Sequence, residues 1–120
     1  MRHRKDHRRL GMYGSHRKLT LSNMAASLFL NGSITTTVTR AKELRRVAEK
    51  LITKARNSTV QNIRLVFSRM PHKAAATKLF QEIAPKYASF DKGGYTRIVK
   101  IGNRPGDGSE MAVIELINRE

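Results

Sequence analysis

The chain contains no cysteine. That absence removes disulfides, thiolate metal sites and cysteine nucleophiles together, so the core has no covalent staple and nothing points to an oxidising compartment. Acidic residues are scarce: 9 Asp and Glu stand against 24 Lys and Arg. A catalytic nucleophile needs a base held by a third group, and carboxylates this few and scattered form no such constellation. Long apolar runs are missing too. The longest, residues 24–30, is broken by Ser27 and falls far short of the roughly 20 residues that span a bilayer. Residues 1–18 stay polar where a secretory signal needs an apolar stretch of about 7–15 residues. The expectation is a soluble, intracellular protein that is not an enzyme.

What is present is cationic. A formal net charge of +15 on 120 residues repels itself and destabilises the compact state until an anionic partner neutralises it, and nucleic acid is the first candidate. The length fits one domain able to bury roughly two thirds of its unfolded surface, and with 39% hydrophobic residues a modest core is available. Composition shifts sharply near Ser15. Before it lie Arg2, His3, Arg4, Lys5, His7, Arg8 and Arg9, with few apolar residues beyond Leu10, Met12 and Tyr13. Such a segment cannot offset its own ordering entropy. Residues 1–14 are therefore predicted to be an extended basic arm that orders on its partner, and residues 15–120 a single globular domain. A frayed terminus is the alternative, but a merely solvated end has no reason to concentrate cations.

From Ser15, as N-cap, the spacing of Leu21, Met24, Ala25, Leu28 and Phe29 predicts a helix stopped by Asn31-Gly32, with Arg17, Lys18 and Asn23 on its other face. The β-branched run 33–38 predicts a short strand. Val38, Ala41, Leu44, Ala48, Leu51 and Ala55 then step through a longer helix. Outside, that helix carries Arg40, Lys42, Arg45, Arg46, Lys50, Lys54 and Arg56, relieved only by Glu43 and Glu49. Residues 58–61 have capping-box spacing and open a third helix with Val60, Ile63, Phe67 and Met70 as its stripe. A fourth covers roughly 73–84, with Ala76, Leu79, Phe80 and Ile83 inward, and ends ahead of Pro85. A turn at 91–94 leads to two strands, 95–101 and 111–117, joined by a Gly-rich loop. The order argues for α+β: three to four helices packed on a small mixed three-stranded sheet.

His3 and His7 at i,i+4, with His16, have the residue type for a metal site, but they lack a rigid frame and the neighbouring cations repel a dication. They are expected to pack on sugars and phosphates, and no metal or cofactor is expected. Gly93-Gly94 and residues 102–108 do not match phosphate-cradling loops and read as turns, with Arg104 and Asp107 as possible contacts. The basic residues differ in kind. They lie on three separated elements, namely the arm, the outer face of the second helix, and the hairpin with Arg97, Lys100 and Arg104. Together they form an electrostatic footprint for several phosphate strands. Tyr13 and Tyr95 have rings that stack on bases, although a tyrosine opening a strand is also a core residue. A DNA reader would need a compact base-reading face, whereas the third helix offers mainly Gln61, Asn62 and Arg64. A membrane-surface helix would need exposed bulky apolar residues, and those here are wanted for the core.

A specific resemblance runs nearly end to end. Met1-Arg2-His3-Arg4-Lys5, Ser15-His16-Arg17, Asn23-Met24-Ala25, Thr36-Thr37 with Ala41-Lys42-Glu43-Leu44-Arg45-Arg46, Leu51-Ile52-Thr53, Gly93-Gly94-Tyr95-Thr96-Arg97-Ile98, and Gly106-Asp107 with Met111-Ala112 before Ile114-Glu115-Leu116 resemble bacterial large-subunit ribosomal protein seventeen. Departures lie in residues 6–14 and 57–75. The resemblance implies a structural component of the large ribosomal subunit that binds its major rRNA. It also implies a place on the solvent side near the peptide exit region, beside other large-subunit proteins, with no small-molecule substrate and no membrane. Ser15, Arg17, Asn23, Thr36 and Thr37 join the candidate rRNA contacts on that ground, and Lys18 joins them as a neighbouring cation on the same helix face. With no Arg/Ser-rich transit extension before Met1, a bacterial cytoplasm is the expected location.

Overall fold

A computed structural model of the chain describes residues 14–88 and 94–117. Helix α1, Gly14–Asn31, is followed by strand β1, Ser33–Thr37, helix α2, Val38–Ala55, and helix α3, Val60–Arg69. Helix α4, Lys73–Lys78, runs on through a π-helical turn, Leu79–Ile83, and a last α-helical turn, Ala84–Lys86. Strands β2, Thr96–Asn103, and β3, Glu110–Leu116, close the fold. The α+β class predicted from the sequence is the class observed. The sheet has the order β1-β3-β2, and both neighbours run antiparallel to β3. The expected mixed sheet is thus corrected, since the period-2 pattern identifies a strand without fixing its direction.

Each boundary has a local cause. Gly32, at φ 84°, donates its N–H to Leu28 O at 2.7 Å, a left-handed stop that a side chain would strain. Its carbonyl accepts from Leu116 N at 3.0 Å, which ties the end of α1 to the central strand. Helix α1 already includes Gly14, so Ser15 is a first-turn residue rather than the predicted cap. Helix α3 is capped by Thr59, whose hydroxyl accepts from Asn62 N at 3.2 Å.

Two helical predictions are corrected. Val60 is 64% exposed, while Val66 is fully buried. The inward residues are therefore Val66, Phe67 and Met70, and Val60 sits ahead of the packing, at the helix start. Pro85 does not end the fourth helix. Ala84 N reaches back five residues to Leu79 O, and this widened turn precedes a proline that has no N–H to donate and would crowd the carbonyl four residues back.

Helix α2 is the centre of the molecule, packing on α1, α3, the π-helical turn and all three strands. Its inward residues Ala41, Leu44, Ala48, Leu51 and Ile52 meet Leu28 and Phe29 of α1, Leu79, and Ile114 of β3 in one core. Along the sheet, Ile34, Ile114 and Ile98 share a register row, as do Thr36, Ala112 and Lys100. By strand alternation these rows face the helices. The opposite rows, Ser33-Glu115-Arg97 and Thr35-Val113-Val99, form the sheet's outer face. Tyr87 and Tyr95 meet with ring centroids 5.1 Å apart. Tyr87 Oη donates to Ile117 O at 2.5 Å, and burial raises its pKa above the usual phenol value.

Candidate nucleic-acid interface

On the outer side of α2, Lys42, Arg46, Lys50 and Lys54 succeed one another at i,i+4, a rise of about 6 Å per step along one ridge. Lys42, Lys50 and Lys54 are exposed and have no carboxylate partner among the described residues. Arg40, on the first turn, is exposed in the same way. The result is a row of cations whose mutual repulsion, among the described residues, only the Arg46 pair with Glu43 relieves.

The two carboxylates of α2 are engaged chiefly with neighbouring elements. Glu43 is 1% exposed and takes Arg17 Nη2 of α1 at 3.2 Å, with Arg46 Nη1 at 3.7 Å. Arg17 and Arg46 are both predicted rRNA contacts; Arg17 thus also pins α1 to α2, while the Arg46 pair lies within α2. Glu49 reaches the start of β2, accepting from Gly94 N at 2.8 Å, Thr96 Oγ1 at 3.1 Å and Tyr95 N at 3.4 Å. Arg45 Nε adds a bond at 3.0 Å. Burial alone would raise the pKa of Glu49; the bonds from Arg45, Gly94, Thr96 and Tyr95 together outweigh it and hold the group below its ordinary value.

The hairpin is arranged differently. Arg97 faces Glu115 across the β2–β3 pair and donates Nε to its Oε1 at 2.7 Å. Arg104 donates Nε to Asp107 Oδ1 at 3.2 Å, and its Nη2 makes a second, shorter bond to Oδ2. Asp107 also accepts from Ser109 N at 3.1 Å. The Arg104 hydrogen bonds and that backbone bond hold its carboxyl far below the usual carboxylate range. Lys100 alone of the three predicted hairpin cations lacks a carboxylate partner among the described residues. By strand alternation it lies on the face opposite Arg97.

The other predicted residues are spread. Ser15, His16 and Lys18 are exposed on the first turns of α1. Asn23 Oδ1 meets His72 Nε2 at 2.7 Å, linking α1 to the turn before α4. Thr36 and Thr37 are half-buried at the edge strand. Tyr95 is a correction: at 1% exposure it offers no ring face to a base. Its hydroxyl instead accepts from Arg56 Nη1 at 3.0 Å and Thr53 Oγ1 at 3.2 Å. Arg2, His3, Arg4, Lys5, Arg8 and Arg9, with His7 and Tyr13, lie outside the described residues, as does most of the turn at 91–94.

Sequence reasoning passed over Arg64, Arg69 and Lys73 as contacts, although all three are exposed. The signal was there: no Asp or Glu occurs between Glu49 and Glu82, so every cation in that stretch must find a carboxylate elsewhere or none. The amide of Asn62, weighed as a base reader, is committed to Asn57 O at 2.9 Å. Among the described residues no His, Asp and Glu cluster could hold a metal ion, and no helix is long and apolar enough to cross a membrane. A family model described as Ribosomal protein L17 matches residues 20–117, from within α1 to the residue after β3.

Proposed function

The chain belongs to the ribosomal protein L17 family, and from that premise we propose that it binds large-subunit rRNA through an N-terminal arm and the cationic surface of α2. Membership makes it a structural constituent of the large ribosomal subunit in the cytoplasm, a participant in translation and not an enzyme, with rRNA and other ribosomal proteins as its surroundings. The finer reading rests chiefly on one observation: α2 carries more cations than its two carboxylates can absorb, and of the ridge only Arg46 has a carboxylate in contact among the described residues.

Phosphates brought close in folded RNA repel one another, and a protein that neutralises them releases their condensed counterions. The row Lys42, Arg46, Lys50 and Lys54, with Arg40 and Lys18, supplies cations on a rigid support. Residues 1–14, as the arm, add Arg2, Arg4, Lys5, Arg8 and Arg9, while residues 15–120 form the folded body that carries both. Such contacts position RNA without reading its sequence.

The test is the salt dependence of binding to a large-subunit rRNA fragment, using the full chain and a variant with Arg2, Arg4, Lys5, Arg8 and Arg9 replaced by Gln. Each phosphate contact adds roughly 0.7–0.9 to the slope of log affinity against log salt. If three of the five arm cations sit on phosphates, the variant's slope should be smaller in magnitude by about 2–3. An unchanged slope would remove the arm from the interface. Equal affinity for duplex DNA of the same length would favour a general polyanion binder instead.

A further inference from the structure

A cleft of about 480 Å³ opens where α1 and α3 both lie against α2, lined by Arg17, Lys18, Leu21, Ser22, Val47, Ser68 and Arg69. Its size falls within the range of small-ligand sites, roughly 300–1,000 Å³. Its chemistry is divided: cations at the rim, apolar walls from Leu21 and Val47, and hydroxyls between. No carboxylate lines it. Lys18 and Arg69 have no acidic partner among the described residues, while Arg17 is shared with Glu43.

Ser22 is the decisive residue. It is 5% exposed, and its hydroxyl has no hydrogen-bond partner among the described residues. A serine inside a helix ordinarily bonds back to a preceding carbonyl, as Ser68 does to Leu65 O at 2.7 Å. A buried hydroxyl left without a partner calls for an explanation, and a polar group entering the cleft supplies one.

We propose that this cleft receives one unstacked nucleotide of an RNA strand. The base lies between the Leu21 and Val47 walls and the guanidinium plane of Arg69, the Ser22 hydroxyl bonds to a base edge or a 2′-hydroxyl, and Lys18 and Arg69 hold the flanking phosphates. RNA recognition relies on such splayed bases, with guanidinium planes among the surfaces they stack on. A bare phosphate would satisfy the rim and leave the apolar walls unused. The basic first residues of the chain are disfavoured as occupant because they carry the same charge as the rim. The proposal rests on the rRNA-binding reading and adds to it a base-sized pocket.

The experiment titrates the isotope-labelled full chain with the four nucleoside 5′-monophosphates and, separately, with inorganic phosphate. The expected result is that at least one monophosphate shifts the Leu21 and Val47 methyl signals and the Ser22 amide, and that phosphate alone leaves the methyls in place. Ser22→Ala, which removes only the hydroxyl, should keep the melting temperature at or above that of the parent and weaken the monophosphate by about 2–10-fold, the worth of one hydrogen bond. Ser68→Trp, at the exposed rim, should abolish the methyl shifts by filling the cleft.

Methyls unmoved by every monophosphate, or moved equally by phosphate, overturn the proposal. So does a nuclear Overhauser contact from Tyr13 to the Val47 methyls in the free protein, which would make the chain's own first residues the occupant. If the monophosphates fail while the rRNA fragment binds with a steep salt slope, the cleft is refuted and the rRNA reading stands. If the fragment fails as well, that reading falls with it.

Discussion

Helix α2 and the β2–β3 hairpin both carry predicted rRNA contacts, but they hold their charge in opposite ways. In the hairpin, strand register puts Arg97 opposite Glu115, and the loop folds Arg104 onto Asp107. In α2 the carboxylates are drawn into packing, Glu43 toward α1 and Glu49 toward the start of β2, and Lys42, Lys50 and Lys54 of the ridge have no carboxylate partner among the described residues. The sequence already sets the two regions apart, with six Lys and Arg against two Glu in residues 38–55 and three against three acids in residues 96–116. The direction in which each carboxylate points, fixed by tertiary contacts, then decides which of those cations are left at the surface without one.

The largest effect should come from the side of α2 that the ridge does not use. Leu44 is fully buried, so Leu44→Ala should lower stability by about 2–5 kcal/mol in a denaturant or thermal melt. Arg45→Ala, which removes only the exposed pair to Glu49, should cost at most about 1 kcal/mol. A reversed ranking would mean that α2 does not divide into a packing face and a charged face, and the comparison with the hairpin would lose its footing.

The ridge comes next. Replacing Lys42, Lys50 and Lys54 together by Gln removes three exposed cations while leaving the core untouched. If each meets a phosphate, the salt slope of rRNA binding should fall in magnitude by about 2–3, with an unchanged melting temperature or a slightly raised one as repulsion is relieved. A slope that stays put would show the ridge to be only a solvated face.

Much of this was legible beforehand, for a physical reason. The spacing of Val38, Ala41, Leu44, Ala48, Leu51 and Ala55 has the helical period, and burial follows that period. β-Branched Ile34 and Thr35 marked a strand in the same way. Strand direction, the exposure of Val60 and the passage of Pro85 through the end of the fourth helix were not legible, because each depends on what lies across from a residue in space. The same holds within the interface. Counting charges found α2, but it also promoted Arg97 and Arg104, whose partners are set by register and loop closure, and Tyr95, whose ring is closed in by Tyr87, Arg56 and Thr53.

A smaller effect separates the two carboxylates that left the ridge from those in the hairpin. Glu49 titrates below its ordinary value of 4.5 in the folded protein, so the folded state binds fewer protons there than the unfolded chain. Its contribution is complete above about pH 4.5 and is lost as the pH falls through the lower, folded value. Glu49→Gln should therefore melt below the parent at pH 7, and the gap should narrow on acidification below about pH 4.5. A gap independent of pH would mean that the carboxylate does not need its charge to clasp Gly94 and Thr96.

The smallest effect is expected at two cations that the sequence alone placed in the interface. Arg97, 66% exposed in its pair with Glu115, and Arg104, exposed beside Asp107, already have a carboxylate in contact. An rRNA phosphate must compete with that carboxylate or leave it facing the backbone, and either outcome cancels most of the gain in attraction. Exposed pairs of this kind are worth about 0–1 kcal/mol to the fold, so Arg97→Gln and Arg104→Gln should leave the melting temperature nearly unchanged. The salt slope should fall by well under the roughly 0.7–0.9 that one phosphate contact contributes. The companion substitution sharpens the point: Lys100→Gln, which removes the hairpin cation without a carboxylate beside it, should change the slope more than either arginine. If instead Arg97→Gln or Arg104→Gln lowers the slope by a full unit, the carboxylates give way to phosphate on binding, and the hairpin belongs to the interface alongside α2.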